Sequence, residues 1–188
     1  NDEGLTLSEP KLKIMGIEAV KSSTPAPCRA KIKEALKVIM SKDEQSLIEF
    51  IDEFRKHFNK LSPEEIAYPR SVNGVIKYAD TTNIYQKSTP MHTKGSLLYN
   101  HYLKTNKLTH KYETIKEGDK IKFIQLKEPN PIREKVIAFP TKLPKEFKLH
   151  PYVDYDSQFD KSFLEPLRFI VKAIGWNFER QATLDMFF

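Results

Sequence analysis

Residues Thr24 to Leu61, TPAPCRAKIKEALKVIMSKDEQSLIEFIDEFRKHFNKL, decide the fold class. Thr24 is placed as an N-cap with Pro25 at the first helical position, and Ile32, Ala35, Leu36, Ile39 and Met40 follow at helical spacing. The pattern predicts an amphipathic helix. Ser41 and Glu44 make a capping-box pattern for a second one, in which Leu47, Ile51, Phe54, Phe58 and Leu61 recur at four- and three-residue steps. Two apolar stripes on so short a link predict an antiparallel helix pair. A third capping box, Ser62-Pro63-Glu64-Glu65, opens a short helical turn that must stop before Pro69.

Upstream of the pair, Lys11 to Glu18 (KLKIMGIE) spaces Leu12, Ile14 and Ile17 among polar or small residues and reads as a strand. Downstream, Arg70 to Pro90 has no dominant period and contains Asn73-Gly74, Asp80-Thr81-Thr82-Asn83 and Ser88-Thr89-Pro90, so it reads as loop. Met91 to Lys104 places Leu98, Tyr99, Tyr102 and Leu103 on a helix. His92 and Lys94 sit near its start, where free backbone N–H groups suit a phosphate. Glu117-Gly118-Asp119 is a turn, followed by Lys120 to Lys127, whose apolar phase switches between Phe123 and Ile124 as in a bulged strand. Lys135 to Phe139, stopped by Pro140, is its partner. Phe159, Phe163, Leu167, Ile170, Val171 and Ile174 trace one helical stripe from Ser157 to Gly175, kinked at Pro166 and closed by a glycine C-cap. The expected class is α+β, a mainly helical body with a small inserted β unit.

At 188 residues and 21.9 kDa the chain matches one large domain, or one domain with appendages. With 30% charged residues and no apolar run near the roughly 20 residues of a spanning helix, an integral membrane protein is excluded. Cys28 is the only cysteine, which leaves no disulfide framework or thiol zinc cluster and points to a reducing, cytoplasmic compartment. The opening NDEGLTLSEP lacks the apolar segment of a secretory signal, and the start at Asn1 suggests separation from a longer chain.

The net charge is +6, and its distribution is uneven. Between Arg70 and Lys111 lie Arg70, Lys77, Lys87, Lys94, Lys104, Lys107 and Lys111 against one acid, Asp80. His92, His101, His110, Tyr78, Tyr85, Tyr99 and Tyr102 share that window. Cations among aromatics and hydroxyls suit a polyanion, although a lysine-rich solvated surface gives the same count. Other chemistries find no support. Serine stands in no Gly-x-Ser-x-Gly elbow, the six glycines form no phosphate loop, and the nine-residue spacing of the three histidines is unlike an i,i+4 metal pair. Asp154 and Asp156 have the Asp-x-Asp spacing with which polymerases hold two magnesium ions. The helical period from Gln158 onward favours N-terminal capping residues, together with Ser157, over a self-sufficient nucleotidyltransferase.

The last eight residues contain Gln181, Leu184, Phe187 and Phe188 in the pattern Q-x-x-L-x-x-F-F, which resembles the sliding-clamp-binding peptide of replication and repair proteins. One helical turn would set Leu184 and the two rings on one side as an apolar plug, with Gln181 bonding at the pocket edge. The alternative is a tail folded onto its own core.

Pro10 to Pro25 (PKLKIMGIEAVKSSTP) resembles the palm-to-thumb junction of family B DNA polymerases, most closely the replicative polymerases of T-even-like phages. The resemblance continues through Ser71-Val72, Ile76-Lys77-Tyr78, His92 with Lys94-Gly95, Tyr99-Asn100, Glu117 to Lys120, Ile137 to Pro140, Phe163 to Leu167 and the tail. It implies a connecting strand in residues 1–24, a thumb domain in 25–180 with a β insertion near 112–140, and a clamp-binding tail in 181–188. The thumb of that family holds primer-template duplex DNA by its sugar-phosphate backbone on the minor-groove side. By resemblance the duplex contacts are Lys21, Ser22, Ser23, Lys77, Lys87, His92, Lys94, Lys135 and Lys161. Partners would be primer-template DNA, a sliding clamp and the palm-containing portion of the polymerase, in the host cytoplasm. The exonuclease motifs, the two palm aspartates and the fingers lysines have no counterpart, so no catalytic residue or metal is expected in this chain; magnesium would belong to the missing palm. The chain is then a cut or separately encoded piece, inactive alone. A non-enzymatic adaptor, RNA-binding or clamp-associated, is the alternative reading of the same window and tail.

Overall fold

The computed structural model describes residues 9–179. About half of the chain is helical and a small antiparallel sheet accompanies the helices, so the class is α+β. The chain divides into two units: described residues 9–61 with 159–179, and residues 62–158.

The first unit is helical. It holds α1 (Glu9–Ala19), α2 (Ala26–Ser41) and α3 (Glu44–Phe58), together with α7 (Glu165–Lys172). The stripe predicted for α2 is the buried one, with Ile32, Ala35, Leu36 and Ile39 inside beside Cys28, and α3 buries Leu47, Ile51, Phe54 and Phe58. Phe54, Phe58, Phe159 and Phe163 form an aromatic cluster with centroids 4.7–5.9 Å apart. Burial pushes the Cys28 thiol up to about 12, so it is packing material and not a nucleophile.

Three local expectations are corrected here. Lys11 to Glu18 is helix, not strand: Leu12 and Gly16 turn inward one helical turn apart while Ile14 and Ile17 stay exposed. Spacings of two and three fit either period over so few residues. Thr24 does not cap α2, since Pro25 is the N-cap and the Thr24 Oγ1 instead accepts from the Lys21 N–H at 3.1 Å. Asp43, not Ser41, caps α3, its Oδ1 accepting from the Ser46 N–H at 2.9 Å; Ser41 ends α2. The carboxylate is the better acceptor and sits directly before the first turn.

The second unit begins with α4 (Pro63–Ile66), which stops before Pro69 as predicted. β1 (Tyr68–Ser71), β4 (Lys120–Gln125) and β5 (Val136–Phe139) form the antiparallel sheet in the order β1-β4-β5, with Arg70 opposite Ile121 and Ile124 opposite Ile137. The β4 and β5 strands were expected; β1 was not, and its second half, Arg70 and Ser71, falls in the segment Arg70 to Pro90 that reads as loop for want of a dominant period. No bulge interrupts β4, whose register runs unbroken against both neighbours. Its phase switch has another cause: Ile121 and Ile124 are both buried although they point to opposite faces, so both faces of the central strand are covered in part.

β2 (Ala79–Asp80) and β3 (Ile84–Tyr85) make a small hairpin where the sequence showed only turn signals. Asp80 shapes its tip, accepting from the Thr82 and Asn83 N–H groups at 2.8 and 3.3 Å. α5 (Met91–Thr105) is the helix predicted for this segment, and it lies on the sheet with Leu98, Tyr99 and Leu103 buried. Gly95 permits this contact, because a Cβ there would stand 2.8 Å from the Ala138 nitrogen. Asn100 fastens the following loop to α5, donating to the Ile115 carbonyl at 2.9 Å and accepting from its N–H at 2.8 Å.

α6 (Tyr155–Phe159) starts with Asp154 accepting from the Ser157 N–H at 3.1 Å and the Ser157 hydroxyl at 2.9 Å, the capping role the sequence favoured. A π turn, Asp160–Leu164, then precedes Pro166, so the break predicted at the proline is realised as a widened turn before it. Phe163, Leu167, Ile170, Val171 and Ile174 are all buried. Gly175 closes the helix with φ 77°, and the Trp176 N–H returns to the Val171 carbonyl at 3.0 Å, a Schellman closure.

Candidate nucleic-acid interface

Three of the predicted contacts gather around the β2–β3 hairpin. Lys77 precedes Tyr78 and Lys87 follows Gln86, and the Gln86 N–H donates to the Tyr78 carbonyl at 2.9 Å, so both lysines flank one junction. The Gln86 side chain donates to the Lys77 carbonyl at 2.8 Å. Lys94, on the first turn of α5, sets its Nζ 4.8 Å from the centroid of the Tyr85 ring in β3. The Tyr85 hydroxyl donates to Glu134 at 2.7 Å; burial, with that carboxylate second, pushes the phenol up to about 12 and keeps it a donor. Lys135 is the next residue, exposed, 3.9 Å from Glu128. An ion pair that long and that exposed contributes little.

Among the described residues no ion pair involves Lys77, Lys87 or Lys94. The one acid of the basic window, Asp80, is occupied by the backbone of the hairpin tip. Cations held close without acids repel one another in water and gain from an arriving polyanion.

His92 and Arg70 lie on the sheet side of α5. The His92 ring is buried, 6.1 Å from the ring of Phe123, and burial first, then the positive charge of Arg70, hold its pKa below the usual histidine range. No side chain caps the helix here, and the buried Thr93 hydroxyl on the same turn has no hydrogen-bond partner.

The basic window is not one patch. α5 separates Lys94 from Lys104 by ten residues, about 15 Å at the helical rise, and Lys111 is paired with Glu146 at 3.4 Å. Arg70, Lys77, Lys87 and Lys94 stand toward one end of this helix, and Lys104, Lys107 and Lys111 toward or beyond the other.

In the helical unit Lys21 and Ser22 are exposed and Ser23 is half-buried. The Arg29 guanidinium holds the carbonyls of Thr24 and Ser22 at 2.9 and 2.6 Å, shaping this turn. Lys161 is exposed on the π turn, where neighbouring Asp160 is engaged by Arg168, which also reaches Glu179 at 2.6 Å. Gln181, Leu184, Phe187 and Phe188 lie outside the described residues.

The sequence reading did not name Arg29 or Gln86, and it had Tyr85 only as an aromatic of the basic window and Glu117 only as a turn residue. Glu117 had a signal, being the first residue of a predicted turn, and its carboxylate accepts from the Gly74 and Ile76 N–H groups. Gln86 had none, and the window aromatic Tyr85 gave no sign of its specific partners, since both roles come from hairpin pairing. Among the described residues no cluster of three metal-binding side chains occurs, and no helix is long and apolar enough to cross a membrane.

Comparison with known proteins supplies the class: the chain is similar along nearly all of its length to DNA-directed DNA polymerases. The relatives are phage proteins. One is the DNA-directed DNA polymerase of Enterobacteria phage T4, 33% identical over 190 residues, which cover 99% of this chain and 21% of that protein. Another is the DNA-directed DNA polymerase of Escherichia phage RB69, 37% identical over 191 residues, covering 98% of this chain and 21% of that protein. The resemblance to T-even-like phage polymerases read from the sequence is therefore shown, and the chain spans about a fifth of the length of the relatives it matches. No protein-family profile matches the chain.

Proposed function

We propose that this chain is the C-terminal thumb part of a family B replicative DNA polymerase, which grips the primer-template duplex by its phosphates and tethers the polymerase to a sliding clamp. Residues 1–24 lead in from the palm, 25–180 form the thumb and 181–188 the tether. The observation that carries the reading is the grouping of Lys77, Lys87 and Lys94 around one hairpin, without acidic partners, in a chain similar to phage DNA polymerases. Lys135, the Lys21-Ser22-Ser23 turn and Lys161 add further contacts, and His92 supports the first turn of α5. The chain contributes processivity and no catalytic group; magnesium belongs to the palm. Gln181, Leu184, Phe187 and Phe188 form the clamp plug.

A primer-template shift assay across a salt series tests this. With about five lysines on phosphates, log K falls against log salt with a slope of roughly −4 to −5, and replacing Lys77, Lys87 and Lys94 by alanine flattens it by roughly 2.7. A flat response, or tighter binding of single-stranded RNA than of duplex, would put the adaptor reading in its place. Deleting Leu184 to Phe188 abolishes clamp binding and spares duplex binding; loss of both would make the tail structural.

A further inference from the structure

Ile76 is 79% exposed, more than any other large apolar residue described. Single exposed aliphatics are common and by themselves mean nothing; the loop that presents this one is what distinguishes it. Both oxygens of the Glu117 carboxylate hold backbone N–H groups there, one from Gly74 and the other from Ile76 itself at 3.3 Å. The Tyr78 N–H closes back on the Gly74 carbonyl at 2.9 Å, and Gln86 fixes the Lys77 carbonyl. Gly74 adopts φ +120°, and a Cβ there would stand 2.8 Å from the Tyr78 ring, so the ring packs against the bare backbone of the turn. An apolar side chain is thus held outward on a preorganised turn, directly beside Lys77 and across the Tyr78–Gln86 junction from Lys87.

We infer that Ile76 is an apolar probe that enters the minor groove of the bound duplex and packs on the sugars of its walls, while Lys77 and Lys87 reach the phosphates that flank the groove. This rests on the duplex-binding reading. The groove is about 6 Å wide, walled by deoxyribose C–H groups and rimmed by phosphates of both strands, and isoleucine is among the apolar side chains that proteins place there. An aliphatic side chain beside two cations that form no ion pair among the described residues, Lys77 lying over the Tyr78 ring at 5.1 Å, complements that surface. The probe adds affinity without neutralising charge, so it lowers Kd at every salt concentration and leaves the salt slope alone.

The test titrates fluorescent primer-template duplex, carrying an A·T tract at the contact, with the 188-residue chain and its Ile76→Ser variant over a salt series. The expected result is about fivefold to tenfold weaker binding by the variant, as fits loss of part of one buried aliphatic side chain, with parallel salt slopes and an unchanged melting curve. Filling the tract with netropsin is expected to erase the difference between the two proteins. Equal affinities without netropsin, or a difference that survives netropsin, would overturn the inference and leave duplex binding intact. Failure of the unmutated chain to bind duplex at all would instead overturn the function on which it rests.

Discussion

Replacing Gly95 by alanine tests whether α5 is seated by backbone contact with the sheet. The new Cβ would lie 2.8 Å from the Ala138 nitrogen and 3.1 Å from both the Ala138 Cβ and the Ile137 carbonyl carbon, where ordinary contact begins at 3.4 Å. Relief requires α5 to retreat by about 0.6 Å, and the obstructing atoms are backbone held in the β4–β5 ladder. A gap of that size forfeits a quarter to a half of the dispersion attraction of the surfaces it opens, here those of Leu98, Tyr99 and Leu103. Overpacking costs about 1–3 kcal/mol, here the upper part of that range, about 2–3 kcal/mol, because the obstructing atoms include backbone, and the helix preference for alanine over glycine returns about 1 kcal/mol, leaving a net loss of about 1–2 kcal/mol. For a chain of this size that lowers Tm by ~2–8 °C, measurable by calorimetry or by denaturant unfolding at constant m. Adding Ala138→Gly removes the methyl contact but not the contact with the nitrogen, so it does not restore the original stability. A gain of about 1 kcal/mol for Gly95→Ala, as in a solvent-facing helix, would refute the reasoning.

Stability should also depend on His92. Its folded pKa lies below the unfolded value near 6.5, so the unfolded chain takes up a proton first: the contribution is complete above pH 6.5 and declines as pH falls from there toward the folded pKa. Denaturant titrations between pH 7.5 and 5 should show that loss, and His92→Gln should flatten it; an unchanged pH profile in the variant would assign the titration elsewhere. Asp154→Ala should cost about 1 kcal/mol by removing both bonds to Ser157, whereas Asp154→Asn keeps the cap and costs little. Magnesium-dependent stabilisation lost in Asp154→Asn would show that the carboxylate has another task.

Long apolar stripes were legible in the sequence because they use one period over several turns: α2, α3 and the stripe from Ser157 to Gly175 bury the residues that period selects, except Met40 and Leu61, which are half-buried. Short segments were not. In α1 the spacing of Leu12, Ile14 and Ile17 fits a strand, yet it is Leu12 with Gly16 that faces inward, and the residue that makes Gly16 informative is Leu36, twenty positions away. A glycine in contact with a neighbouring helix leaves no mark on a hydrophobic pattern. The same holds for β1, whose four residues become a strand because β4 offers it a ladder.

The site divides along the same line. Counting charge along the chain merged two groups of cations, because sequence distance converts to space differently in a helix and in a hairpin. A ten-residue step along α5 carries Lys104 about 15 Å from Lys94, while the same ten-residue step from Lys77 to Lys87 folds back so that their neighbours Tyr78 and Gln86 share a hydrogen bond. Hairpin closure therefore makes a site from residues that a window treats as equally spaced. The nearby acids serve the backbone: Asp80 Oδ1 and both oxygens of Glu117 accept from backbone N–H groups that build the loops. These loops thus use the Asp80 and Glu117 carboxylates for shape, which on the proposed function leaves the ammonium groups of Lys77 and Lys87 for phosphates, a division that net charge cannot express.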